Sequence, residues 1–193
     1  MMTVDRERRA GLALRAAALL WMGAIALEYR FGLQPPGHGL LVDVDQALFV
    51  VADLGFVAGI LGVLGSGAVG TSRLGRGALV LFALGWVLEI VAAPLVLLMG
   101  DANLALLPIG GLCAFVGSLV AGIVVAVAGR WPGWRRWTVL GYSLYYALVL
   151  FLPAIVAQRG PGVVGELLWG LAWLPMGYAL ASRPAGTVRP ALA

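Results

Sequence analysis

The sequence predicts an all-α fold: a polytopic transmembrane bundle of six helices, one domain over residues 1–193, with both termini cytoplasmic. Three observations predict it. Of the 193 residues, 62% are hydrophobic and 11% charged, whereas a water-soluble domain carries about a quarter charged residues to cover its surface. The apolar residues gather into stretches of the ~20 residues that span about 30 Å of hydrocarbon. The basic residues, every one an arginine, fall almost wholly on one side of a six-span topology.

The helices are expected at about 11–29, 47–69, 78–99, 104–128, 137–157 and 163–181. The first is interrupted by Arg15 and ends at Glu28-Tyr29. The turn-rich run Gln34-Pro35-Pro36-Gly37-His38-Gly39 then separates it from the second, which carries Asp53. The third contains Glu89 and Pro94. The fourth and fifth contain no charge, and Pro153 lies in the fifth. The sixth follows the turn Gly160-Pro161-Gly162 and carries Glu166. Barrel strands would alternate apolar and polar residues. These segments are continuously apolar, as suits helices that satisfy their own backbone in lipid. Pro94 and Pro153 are expected to kink helices three and five.

Orientation follows from charge. Arg6, Arg8, Arg9, Arg15, Arg73, Arg76, Arg130, Arg135, Arg136, Arg183 and Arg189 share one side, leaving Arg30 and Arg159 on the other. The arginine-rich side is expected to be cytoplasmic, and the absence of lysine with much alanine and 28 glycines fits the codon bias of a GC-rich bacterium, so a bacterial plasma membrane is expected. Trp131, Trp134 and Trp137 beside Arg135-Arg136 read as an aromatic anchor at the inner surface. The run from Arg6 to Ala24-Ile25-Ala26 imitates a cleavable signal peptide, but Arg15 breaks its apolar core.

Composition excludes several chemistries. The chain has no lysine, so no Schiff base. The lone Cys113 can form no internal disulfide and reads as a buried thiol, and the lone His38 allows no histidine cluster. No metal site and no cofactor are expected. No phosphate-binding loop, zinc-protease or hydrolase motif is present. The basic excess lies in short loops rather than on one face, which argues against nucleic acid.

The functional signal is the set of acids inside the membrane, where a central charge costs at least ~2.5–3.5 kcal/mol. Glu28 is expected at the outer end of helix one and Asp53 about two turns down helix two. Glu89 is expected near the middle of helix three and Glu166 one turn into helix six, with Asp43, Asp45 and Asp101 in the outer loops. Helical spacing puts Glu89 with Gly85, Ala92 and Ala93, Glu166 with Trp169, Gly170, Trp173 and Gly177, and Glu28 with Trp21 and Ala24. Small residues mark helix contacts in lipid, so each acid is expected to face inward. In helix two, Gly55, Gly59, Gly62 and Ser66 form a stripe roughly opposite Asp53. If neither face meets lipid, that helix is central. Plainer explanations stand beside these: Glu28 near Arg30, Glu166 as a helix-start acid near Arg159, and Asn103, Ser118 and Ser143 as packing or capping groups.

Trp21, Trp86, Trp169 and Trp173 lie too deep for an interfacial belt, and Tyr142, Tyr145 and Tyr146 can join them. The candidate ligand-binding set is therefore Asp53, Glu89, Glu28, Glu166, Trp86, Trp169, Trp173 and Tyr145. Acids beside aromatic faces suit a small hydrophobic or cationic ligand and proton-coupled binding, because an apolar setting disfavours a carboxylate.

Residues 15–65 carry a resemblance. Ala26-Leu27-Glu28-Tyr29-Arg30 closes helix one, a Pro-Gly loop follows, and Phe49-Val50-Val51-Ala52-Asp53-Leu54-Gly55 opens helix two. This resembles a family of uncharacterised six-helix bacterial membrane proteins known only as a domain of unknown function. The resemblance implies placement, not mechanism, and directs attention to Glu28 and Asp53. Three readings follow: a binding or transport protein with an outward-facing acidic and aromatic pocket; a membrane-embedded enzyme that protonates a lipid or isoprenoid; or a structural subunit whose acids engage a partner's helix and whose oligomeric state changes when the glycine stripe is widened.

Overall fold

A computed structural model describes residues 2–33, 39–99, 106–156 and 162–182. His38 and its Pro-Gly loop, Asp101, Asn103, Arg159, Gly160-Pro161, Arg183, Arg189 and the side chain of Ala93 lie outside the described residues. Among the described residues all regular structure is helical: α1 (Val4–Phe31), α2 (Leu40–Gly65), α3 (Arg73–Met99), α4 (Leu106–Ala128), α5 (Thr138–Tyr145), α6 (Leu152–Val156) and α7 (Gly162–Ala181). A π-helical segment, Tyr146–Phe151, joins α5 to α6 without a break. Five helices are long and apolar enough to cross a bilayer: α1, α2, α4, α7 and, over Arg73–Ala92, α3. This is the build of a multi-pass membrane protein.

Helices that follow one another in the chain also touch in space. α1 packs on α2, α2 on α3, α3 on α4, α4 on α5 and α5 on α7, and α7 returns to α1. The rods form a closed ring. Its outer surface is apolar: Leu19, Val51, Leu54, Leu84, Val116, Leu148 and Leu168 are exposed all round. Aromatic rings fill the centre, where Trp173 stacks between Phe56 (4.3 Å) and Phe82 (5.6 Å), with Tyr142 at 4.2 Å. An apolar outside with acids and indoles inside is what lipid as a solvent demands.

The small residues act inside the chain. Gly55, Gly59 and Gly62 lie against Ala17, Leu14 and Ala10 of α1, so the stripe is occupied by a neighbouring helix rather than offered to a partner. Gly177 of α7 meets Gly11 and Arg15 of α1. Helix two is not central: besides its α1 face and its Asp53 face it presents Val51, Leu54 and Leu61 outward.

Several boundaries differ from the sequence reading. α1 starts two turns early and carries Asp5 to Arg9, with Glu7 buried. Hydropathy misses this because a window average falls at the charged run Asp5 to Arg9 whether or not the helix continues through it. α2 begins at Leu40, so Asp43 and Asp45 belong to its first turns rather than to a loop. Asp53 therefore lies mid-helix, about 20 Å from the start at 1.5 Å per residue, deeper than two turns. Trp131 is not part of a surface anchor but a core residue, 4% exposed. Trp134 and Trp137 do lie at the surface, with Arg136 4.9 Å above the Trp137 ring. Cys113 is half-buried rather than buried. Pro94 sits inside α3. In the fifth rod Pro153 has no N–H and crowds the carbonyl one turn back. The backbone ahead of it widens into the π register, the Leu152 N–H bonding Ala147 O five residues back.

Candidate functional site

Helical periodicity turns three acids toward the ring interior. Asp53 shares its face of α2 with Phe56 and Ile60, both fully buried. Glu89 follows Phe82 and Trp86 on the inner face of α3, and Glu166 precedes Trp169 and Trp173 on that of α7. The three carboxyl groups line one cavity of about 250 Å³. Trp21, Trp86, Trp169 and Tyr146 form its aromatic walls, and Leu150 completes it. The indoles interlock: Trp21 meets Trp169 edge-on at 4.6 Å, and Trp86 stacks on Trp169 at 5.4 Å.

The polar groups here are incompletely satisfied within the protein. Asp53 is 4% exposed, yet its Oδ1 has no hydrogen-bond donor. The Nε1 donors of Trp21 and Trp86 have no acceptor. Buried polar groups are ordinarily paired, so the wall offers both an acceptor and donors to an occupant. Among the described residues no arginine faces Asp53, Glu89 or Glu166. Their charged neighbours are acids: Asp53 feels Glu89, and Glu28 feels Glu166 and Asp45. The carboxyls thus form a ladder from the end of the bundle to its middle.

The candidate residues divide. Asp53, Glu89, Glu166, Trp86 and Trp169 are brought together in the cavity wall. Glu28 is half-buried at the end of α1, outside the lining, and its carbonyl accepts the Gly32 and Leu33 N–H groups that cap the helix. Its neighbour Arg30 turns over the Phe31 ring at 5.7 Å. Trp173 lies deeper, fully buried among Phe56, Phe82 and Tyr142. The Tyr145 hydroxyl donates to Gly165 O at 2.9 Å and ties α5 to α7. Ser118 and Ser143 donate to carbonyls three and four residues back on their own helices.

Trp21, Tyr146 and Leu150 are the lining residues absent from the candidate set, and the last two share an origin. Both belong to the π segment, whose extra residue per turn alters which side chains face inward. The available signal was Pro153. Tyr146 also donates to Gly111 O of α4 at 3.4 Å. A Cβ on Gly110 would stand 3.0 Å from Glu89 Oε1, so the glycine leaves that carboxylate its room.

No family model, no curated protein and no solved structure matches the chain.

Proposed function

We propose that the chain crosses a bacterial plasma membrane six times, N-in and C-in, and binds and transports a small organic cation through the acidic cavity. The six crossings count α5, the π segment and α6 as one rod. The orientation rests on the arginine distribution; it places Glu28, Asp45 and Glu166 at the outer end of the bundle, with Asp53 and Glu89 at the floor of the cavity. An incoming cation meets the outer acids first, sheds water against the indole faces, and reaches the inner pair. Ring faces and carboxylates both attract a cation where water is excluded. A volume of about 250 Å³ suits a single-ring amine, being on the order of eight waters at ~30 Å³ each. Return of the carrier with a proton in place of the cation makes the flux proton-coupled.

The observation that carries this reading is the buried Asp53 oxygen without a donor, set with two further carboxyls and, among the described residues, no counter-cation in an aromatic cavity. The test compares benzyltrimethylammonium with its uncharged carbon isostere, neopentylbenzene, on protein reconstituted in vesicles. Indole fluorescence should report binding of the cation at least about tenfold tighter than the isostere. Asp53→Asn and Glu89→Gln should each remove that preference and the proton-coupled uptake. Equal binding of both compounds, or uptake unchanged in both variants, overturns the reading. A chemically altered lipid in extracts of expressing cells would replace transport by catalysis.

A further inference from the structure

At the end of the bundle opposite the acidic cavity lies a second, larger depression of about 520 Å³. It runs from the turn between α2 and α3 to the end of α4, and its walls differ in kind. The upper wall is polar: Gly70, Thr71 and Ser72, with Arg130. A Cβ on Gly70 would stand 3.6 Å from Arg130 Nε, and Arg76 donates to Gly70 O at 3.5 Å, so two guanidinium groups converge on one turn. Arg73 opens α3 beside them, and the turn and the segment after α4 contain no acid. The lower wall is Ile123, Val124 and Val127, with Val127 82% exposed on the outer, lipid-facing side of α4.

We infer that this depression is a binding site for an anionic glycerophospholipid, with the headgroup phosphate held by Arg130 and Arg76 at the Gly70 turn and an acyl chain laid along Ile123 and Val127. Charge complementarity selects the headgroup, since basic pockets between spanning helices take anionic lipids. Arginine presents two parallel donors that match a phosphate. The apolar lower wall selects a lipid over a free anion, because a soluble phosphate leaves it uncovered. The site uses no residue of the acidic cavity, so its fate is independent of the transport reading.

The test is native mass spectrometry of the full chain released from vesicles containing equal amounts of phosphatidylglycerol and phosphatidylcholine with identical acyl chains. The wild type should retain phosphatidylglycerol about tenfold in excess. Arg130→Gln combined with Arg76→Gln should remove nearly all of that excess, because about a factor of five per arginine, roughly 25-fold for the pair, is more than the tenfold preference. Arg136→Gln, at the same end but over Trp137, should leave it unchanged. A second measurement needs no variant: the wild-type protein should unfold at a higher temperature with phosphatidylglycerol than with phosphatidylcholine. Equal retention of the two lipids, full retention in the double variant, or displacement of the lipid by inorganic phosphate at equal concentration would each overturn the proposal.

Discussion

The seam between α3 and α4 and the seam between the fifth rod and α7 solve the same problem in opposite ways. At the first, Gly85 lies against the Gly110 carbonyl and the Ala114 amide, and Gly117 lies against the Phe82 amide and the Ala78 carbonyl, so backbone touches backbone. At the second, Tyr145 reaches across to Gly165 O of α7, while Tyr146, on the other flank of the same rod, reaches Gly111 O of α4. Small residues bring helices close and exclude everything else. Large residues with hydroxyl tips hold helices apart and leave room between them, and the acidic cavity lies beside the second kind of seam. The glycine seam is mostly scaffold, touching the cavity only where Gly110 leaves Glu89 its room, and the tyrosine-bridged rod supplies the cavity's opposite wall.

Substitutions can break that contrast at either seam. The largest effect is expected for Gly117→Leu, which drives a side chain into the Phe82 backbone. A loss of about 3 kcal/mol should abolish the monodisperse peak in fluorescence-detected size exclusion. Asp53→Asn comes next and separates function from fold. Cation affinity should fall at least about tenfold, or 1.4 kcal/mol, while thermal unfolding occurs no earlier, because a neutral amide is easier to bury than a carboxylate. Unfolding at a lower temperature would make Asp53 a structural member of the core. Tyr145→Phe removes a 2.9 Å bond to α7 and should cost about 0.6 kcal/mol, the usual worth of an interhelical hydrogen bond in a membrane. Faster backbone amide exchange in α7 is its readout. Trp134→Ala, at a half-exposed ring packed on Tyr178, should change stability by less than about 0.5 kcal/mol, seen as an unchanged unfolding temperature.

Much of the ring was legible in one dimension. The five long helices were found because ~20 apolar residues in a row have few other uses. The inward faces of α3 and α7 were found because Gly85 beside Glu89, and Gly170 and Gly177 beside Glu166, mark close helix contacts. What spacing could not give was which helix each face meets. The stripe Gly55, Gly59, Gly62 reads equally well as an interface to another molecule, and only the position of α1 shows that Ala10, Leu14 and Ala17 already occupy it. Helix ends were misjudged where charge and helix coincide, as at Asp5 to Arg9 and at Asp43 and Asp45. A hydropathy window stops at the first polar turn, although the helix continues through it with Glu7 and Asp45 buried.

By itself the sequence determined the solvent, the all-helical fold and the identity of the acids that lie inside it, since these depend only on how many apolar residues run together and which charges interrupt them. The tertiary structure decided that Asp53, Glu89 and Glu166 share one cavity, that Glu28 and Tyr145 do not line it, and that Tyr146 does. Those outcomes depend on the order of the helices around the ring and on a π turn ahead of Pro153. Rotation of a helix about its own axis is set by its neighbours, and a single strand of residues contains no neighbours.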